Sequence, residues 1–310
     1  VDYRPLGRTG LQVSQVSFGT GSLGEMFGPL DESDALRLVD EVLDAGINFI
    51  DTSPYYGSAE QRLGKALTPE KRDKVILATK AGRYGFDDFD FSPRRVREGL
   101  EHSLRLLGTD YVDVLQFHDI EFAPLEHTLT DYVGELLKLK EEGKCRFVGM
   151  TGYPLPTFTR VLRETDVDVI LTYAKGTLLD DSIRTELLPI AQEQGVGLIN
   201  AAAVALGLLT PGGSKIEIDP PWPQHVAEAA SRMVALAEER GIDISFLANQ
   251  YAFQRSGAAT TVVGVGKSRH LQSAVRAAES PIDDGLVEEF LALRPPAGQR
   301  QWRIGLPENN

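Results

Sequence analysis

From Val16 onward the chain repeats one arrangement: a short apolar run, then a stretch whose apolar residues recur at helical spacing. The apolar runs are Val16–Phe18, Asn48–Asp51, Val75–Lys80, Val112–His118, Arg146–Thr151, Val169–Thr172, Gly197–Ala201 and Thr260–Val263. Helical stretches separate them. Asp31–Ala45 carries Leu36, Val39 and Leu43 on one face, and Ser92-Pro93 opens a helix with Val96, Leu100, Leu104 and Leu107 in register. Further helices are predicted over Ala59–Leu67, Leu129–Glu142, Thr157–Glu164, Ile183–Gln194 and Ser268–Ala278. Strands joined only through helices must pair in parallel. Eight such units suit closure into a cylinder. The expected architecture is therefore α/β, a (β/α)8 TIM barrel. An N-terminal β-hairpin (Tyr3–Leu6 and Leu11–Val13 around Gly7-Arg8-Thr9-Gly10) precedes it, and extra helices follow near the C-terminus. No linker divides the chain, so residues 1–310 are expected to form a single domain. The longest irregular stretch, Leu208–Pro223, follows the seventh strand and falls on the face where barrels of this type carry chemistry.

Composition narrows the function classes. A net charge of −13 disfavours phosphate backbones and anionic membranes, and no basic cluster offsets it. The single cysteine, Cys145, cannot form an internal disulfide, which fits a reducing compartment. Val196–Leu209, the longest strongly apolar stretch, falls short of the roughly 20 residues a membrane span needs. Val1–Pro5 lacks the layout of a signal peptide. A soluble cytoplasmic protein is expected, with no nucleic-acid or membrane partner.

In a barrel the active site is assembled at the C-terminal ends of the strands. The second predicted strand ends at Asp51, the third at Lys80 and the fourth at His118. Side chains alternate between the two faces of a strand. Asp51 shares parity with Phe49, Lys80 with Ala78 and Ile76, and His118 with Gln116 and Val114, so all three are expected to face the mouth. Tyr56 lies five residues past Asp51, close enough for a short loop to bring its hydroxyl back. A phenol with a pKa near 10 is a poor acid at neutral pH. A neighbouring ammonium lowers that value, and a carboxylate keeps the ammonium charged in a dry site. An imidazole can then orient the substrate oxygen. This group of side chains moves a proton on an oxygen attached to carbon. Since no side chain donates hydride, a nicotinamide is implied. Two other classes stay open on residues alone. A barrel glycosidase would use two carboxylates, from Asp51, Asp119 and Glu121, although the seventh strand ends without an acid. A non-catalytic subunit would keep fold and cofactor as a sensor.

Gly19-Thr20-Gly21-Ser22-Leu23-Gly24 satisfies G-x-G-x-x-G, but Gly28-Pro29 intervene before any helix, and Asp51 lies 32 residues after Gly19, too far for a Rossmann acid. None of the 9 tyrosines heads a Tyr-x-x-x-Lys motif. Among the 5 histidines no H-x-H or H-E-x-x-H occurs, so no metal is expected.

The run Gly46-Ile47-Asn48-Phe49-Ile50-Asp51-Thr52-Ser53-Pro54-Tyr55-Tyr56-Gly57 resembles the aldo-keto reductase signature. Leu6–Ser14, Lys140–Lys144 and Gly207–Thr210 are similar to the same family, and the likeness covers essentially the whole chain. Three further stretches resemble its L-galactose and L-fucose (aldose) dehydrogenase branch: Phe27-Gly28-Pro29, Thr79–Tyr84 with Phe89–Ser92, and His118–Phe122. The resemblance implies a catalytic tetrad of Asp51, Tyr56, Lys80 and His118, and oxidation of an aldose at C1 to its lactone. The alternative it leaves is a general NADPH-dependent carbonyl reductase. It also implies a dinucleotide stretched across the mouth, touching Gly19, Thr20, Thr151, Gly152, Ala201, Leu206, Gly207, Leu209, Gly264, Gly266, Lys267 and His270. Relatives stack a tyrosine on the nicotinamide where this chain has Ala201. Relatives that use NADP place a lysine and an arginine where it has Gly264 and His270, so NAD is the expected cofactor, with NADP as the alternative through Lys267 and Arg269. Candidate contacts for a small sugar substrate are Tyr55, Asp119, Phe122 and Trp302. The family is often monomeric, so a monomer or weak homo-oligomer is expected.

Overall fold

A computed structural model describes residues 1–215 and 218–310. Strands β1 (Tyr3–Pro5) and β2 (Gln12–Ser14) pair antiparallel as the hairpin. Eight parallel strands then close on themselves. They are β3 (Val16–Gly19), β4 (Phe49–Asp51), β5 (Ile76–Ala81), β6 (Val112–Phe117), β7 (Cys145–Gly152), β8 (Val169–Tyr173), β9 (Gly197–Ala201) and β10 (Thr260–Gly264), with β10 bonded to β3. Each predicted barrel strand is present, its ends within one residue of the predicted ones.

The expected parity holds. Phe49, Ile76, Ala78, Val114, Val169, Leu171, Ile199 and Val262 form one buried cluster inside the cylinder, joined from below by Leu6, Leu11 and Val13 of the hairpin. Gly7, at φ +53, lies so close to β9 that a Cβ would stand 2.3 Å from the Gly197 nitrogen. No side chain fits there, and the hairpin therefore seals the N-terminal end. The hairpin leaves the C-terminal end uncovered.

Outside the cylinder, Val96, Leu100, Leu104 and Leu107 of the helix Pro93–Leu107 are buried as predicted, and left-handed Gly108 stops that helix. Two predicted helices are less regular. The stretch read as Leu129–Glu142 begins at Leu125 and widens into a π-helical turn over Thr128–Tyr132 before Val133–Glu141. Hydroxyls of Thr128 and Thr130 bond back to the carbonyls of Pro124 and Glu126 there. Ile183–Leu187 widens likewise ahead of Pro189, which has no N–H to close an ordinary turn. The extra helices Gln224–Arg240 and Asp284–Leu291 pack with Ile244–Arg255 as a second cluster on the flank. The tail then returns across the strand ends, where the Asn309 amide donates to the carbonyls of Glu121 and Ala123 at 2.9 and 2.8 Å. It thereby pins the loop that follows β6.

Candidate active site

Asp51 closes β4, Lys80 is the penultimate residue of β5, and His118 follows β6 directly. Barrel closure places these strands side by side, and shared parity turns all three side chains into the mouth. Lys80 Nζ donates to Asp51 Oδ2 at 2.5 Å and to the Thr52 carbonyl at 2.8 Å; both ions are buried. Gln116 donates to the other carboxylate oxygen at 3.2 Å. The loop after β4 folds Tyr56 back so that its ring centroid stands 5.0 Å from Lys80 Nζ and 5.7 Å from the His118 ring, edge to face. All four predicted residues are thus brought together.

Their proton affinities depart in part from the expectation. Burial works against the Lys80 ammonium, but Asp51 and Tyr56 together hold its pKa above the ordinary lysine value. For Tyr56 the balance is reversed. Desolvation pushes the phenol up to about 12, and the nearby Lys80 offsets only part of that rise. The lysine therefore acts in the expected direction, yet the net shift is upward because the ring sits against dry neighbours. Desolvation also drives His118 down to about 3, with Asp119 opposing, so the imidazole is neutral at physiological pH.

Among the candidate sugar contacts, Asp119 Oδ2 pairs with Arg83 Nη1 at 2.5 Å and lies 3.7 Å from His118 Nε2. Arg83 stacks over Tyr55 at 4.0 Å, and Phe122 stacks on Phe89 at 4.5 Å. Tyr55, Asp119 and Phe122 therefore gather around one guanidinium that sequence reasoning missed. Arg83 stands three residues past Lys80, a spacing that could have flagged it. Trp302 is elsewhere. It is buried against Trp222 and Tyr153, and its indole N–H donates to the Pro220 carbonyl.

The structure also brings Tyr173 into view. It ends β8 in register with Ala201, on the inward parity, and its hydroxyl donates to Glu121 Oε1 at 2.7 Å. Glu121 is fully buried, and among the described residues its Oε2 has no hydrogen-bond partner; desolvation and then Asp119 push its pKa up to about 8. Gly152 is needed beside it, since a Cβ there would lie 2.4 Å from that oxygen.

Of the residues expected to meet a dinucleotide, Gly19, Thr151, Gly152, Ala201 and Gly264 lie at the strand ends of the same rim. Gly264 is exposed at the end of β10, and Gly266 and Lys267 lead into the helix Ser268–Glu279, whose N-terminus has no side-chain cap. Its opening N–H groups and the exposed Lys267 and Arg269 have the chemistry of an anion site, which fits a pyrophosphate. Thr151 Oγ1 accepts from the Asp119 N–H, leaving its own hydrogen free to donate. Gly19 opens a short 3-10 turn, and Thr20 Oγ1 donates to Thr52 Oγ1 at 2.7 Å. After β9, Ala202, Ala205, Leu206 and Gly207 take positive φ, which lifts Leu206 into solvent. Leu209 is buried among the flanking helices instead. No group of three or more metal-ligating side chains occurs among the described residues, and no helix there is long and apolar enough to cross a membrane.

Comparison with known proteins decides the lineage. Residues 15–294 match the model of the Aldo/keto reductase family. The chain belongs to that family. L-galactose dehydrogenase of Arabidopsis thaliana is 41% identical over 320 residues, covering 100% of this chain and 99% of the relative. D-threo-aldose 1-dehydrogenase of a Pseudomonas species is 30% identical, covering 93% and 92%. An aldo-keto reductase from Bacillus halodurans in its holo form superposes with a TM-score of 0.78 at 26% identity, over 99% of both chains. As an aldo-keto reductase the protein is an NAD(P)-dependent oxidoreductase, and neither the glycosidase nor the sensor reading survives.

Proposed function

We propose that this aldo-keto reductase oxidises an aldose at C1 to its lactone, with NAD preferred as the hydride acceptor. The observation that carries the reading is Lys80, held between Asp51 and Tyr56 at the open end of the cylinder with neutral His118 beside the phenol. A bound nicotinamide supplies the acceptor for the hydride that leaves C1. The remaining work belongs to the chain. Tyr56 takes the proton of the C1 hydroxyl and returns it in the reverse reaction. Lys80 offsets the desolvation that opposes the phenolate, and Asp51 holds Lys80. His118, uncharged, hydrogen-bonds the C1 oxygen and sets its orientation. The ion pair of Arg83 and Asp119, with Tyr55 and Phe122 around it, supplies polar partners for sugar hydroxyls and apolar faces for the ring. The aldose dehydrogenases among the relatives support the substrate class.

NAD preference rests on the helix that follows β10. His270 accepts from Arg269 Nε at 3.3 Å, and its pKa is lowered by burial and by Arg269 and Lys267, so at neutral pH it brings no charge to a 2′-phosphate. Exposed Lys267 and Arg269 keep NADPH-dependent carbonyl reduction as the second reading.

A panel of aldoses in both enantiomeric series, each with NAD and with NADP, tests the proposal through the absorbance of reduced cofactor. L-galactose- or L-fucose-type sugars are expected to give the highest kcat/KM, with NAD. Turnover confined to aldehyde reduction with NADPH would replace this reading by the second one.

A further inference from the structure

His118 is held from one side by a residue that none of the catalytic roles above uses. Ser53 is fully buried, two residues past Asp51, and its Oγ lies 3.0 Å from His118 Nδ1. The same Oγ accepts the Tyr55 N–H at 3.1 Å. A hydroxyl has one hydrogen to give. Among the described residues no other acceptor lies within bonding distance of the Ser53 hydroxyl. Placing the imidazole hydrogen on Nδ1 would therefore leave the serine hydrogen buried without a partner, at a real cost in stability. If Ser53 donates to Nδ1 instead, every group in the chain from the Tyr55 amide to the imidazole is satisfied. The ring's own hydrogen then sits on Nε2. On that side the Asp119 carboxylate, an acceptor only, lies 3.7 Å from Nε2 and is kept in place by Arg83. Both faces of the ring select the same tautomer.

We propose that Ser53 is a positioning residue that fixes His118 as the Nε2–H tautomer, so that the substrate oxygen always meets a hydrogen-bond donor. The inference rests on the reading that His118 addresses that oxygen, and it adds the reason the donor faces outward. The Tyr55 amide, donating to the serine hydroxyl, and the Tyr56 amide, donating to the serine carbonyl at 3.0 Å, hold Ser53 in the same turn that returns Tyr56 to the mouth. The acid–base residue and the orienting residue are therefore set by one short loop.

Long-range 15N–1H correlation spectra of the histidine side chains test the assignment in the full-length protein. Only 5 histidines contribute, and the signals of His118 are identified by their loss in His118→Gln. The wild-type protein should show a neutral His118 with hydrogen on Nε2, unchanged from pH 5 to pH 9 on the order of its expected neutrality. Ser53→Ala should move the Nδ1 resonance downfield as its donor disappears and lower kcat about ten-fold, the scale of one buried hydrogen bond. KM for NAD should stay the same. Ser53→Thr, which keeps a hydroxyl, should restore both signals and turnover. A wild-type spectrum with hydrogen on Nδ1 overturns the proposal. So does Ser53→Ala that leaves the Nδ1 resonance in place. Absence of sugar oxidation by the wild-type protein would remove the proposed substrate class, whereas the tautomer is read without substrate.

Discussion

Lys80 Nζ stands 5.0 Å from the centre of the Tyr56 ring, and still the phenol is harder to ionise than a tyrosine in water, at about 12. The lysine offsets part of the desolvation penalty that burial of the ring imposes. The ammonium belongs to the site because Asp51, 2.5 Å away, compensates its burial. With this affinity the phenol stays protonated at neutral pH, the form that carbonyl reduction needs, while oxidation requires the minor phenolate form.

Replacing Tyr56 by Phe removes the only hydroxyl proposed to move the proton. Turnover should fall about 10²–10⁴-fold, the usual share of a positioned acid or base. Binding of NAD, followed by quenching of protein fluorescence, should be unchanged. Turnover within a few-fold of wild type would remove Tyr56 from the mechanism.

The raised phenol sets the sign of the pH dependence. In the oxidising direction Tyr56 must begin deprotonated, so kcat/KM for the sugar should climb with pH through the neutral range. In the reducing direction the protonated phenol is already dominant, and the rate should be flat there. Initial rates in both directions across a buffer series decide the matter; a sugar-oxidation profile flat from neutral pH upward would contradict the assignment of Tyr56 as base.

Asp51→Ala leaves the Lys80 ammonium buried and unpaired. The expected loss is about 3–5 kcal/mol, read from urea unfolding midpoints. The double variant Asp51→Leu with Lys80→Met removes both charges and should regain most of that stability while remaining inactive. If the double variant is as unstable as the single one, packing rather than charge explains the defect.

Glu121 links stability to pH. Its carboxyl is raised from an ordinary 4.5 to about 8, so the folded state keeps a proton that the unfolded chain gives up. Stability from this group is complete below about pH 4.5 and is lost progressively as pH rises to about 8. Glu121→Gln, which keeps the acceptor for Tyr173 and cannot ionise, should flatten that decline. Thermal midpoints of both proteins at pH 5 and at about pH 8 provide the comparison, and parallel declines would refute the linkage.

The sequence by itself determined the cylinder and its chemistry. Alternating strand and helix signals depend on residues a few positions apart, so eight parallel strands, the hairpin and the flanking helices were legible, as was the inward parity of Asp51, Lys80 and His118. The π-helical turns at Thr128–Tyr132 and Ile183–Leu187 blurred helix boundaries, because a side-chain hydroxyl or a missing N–H changes the turn without changing the apolar spacing. Tertiary structure decided the rest. Ser53 meets His118 across 65 residues, Arg83 meets Asp119 across 36, and Tyr173 meets Glu121 across 52, distances over which no local pattern carries information. It also reversed the net shift at Tyr56 and took Trp302 into packing against Trp222. Desolvation depends on every atom that closure places around a group, and that sum exists only once the barrel has formed.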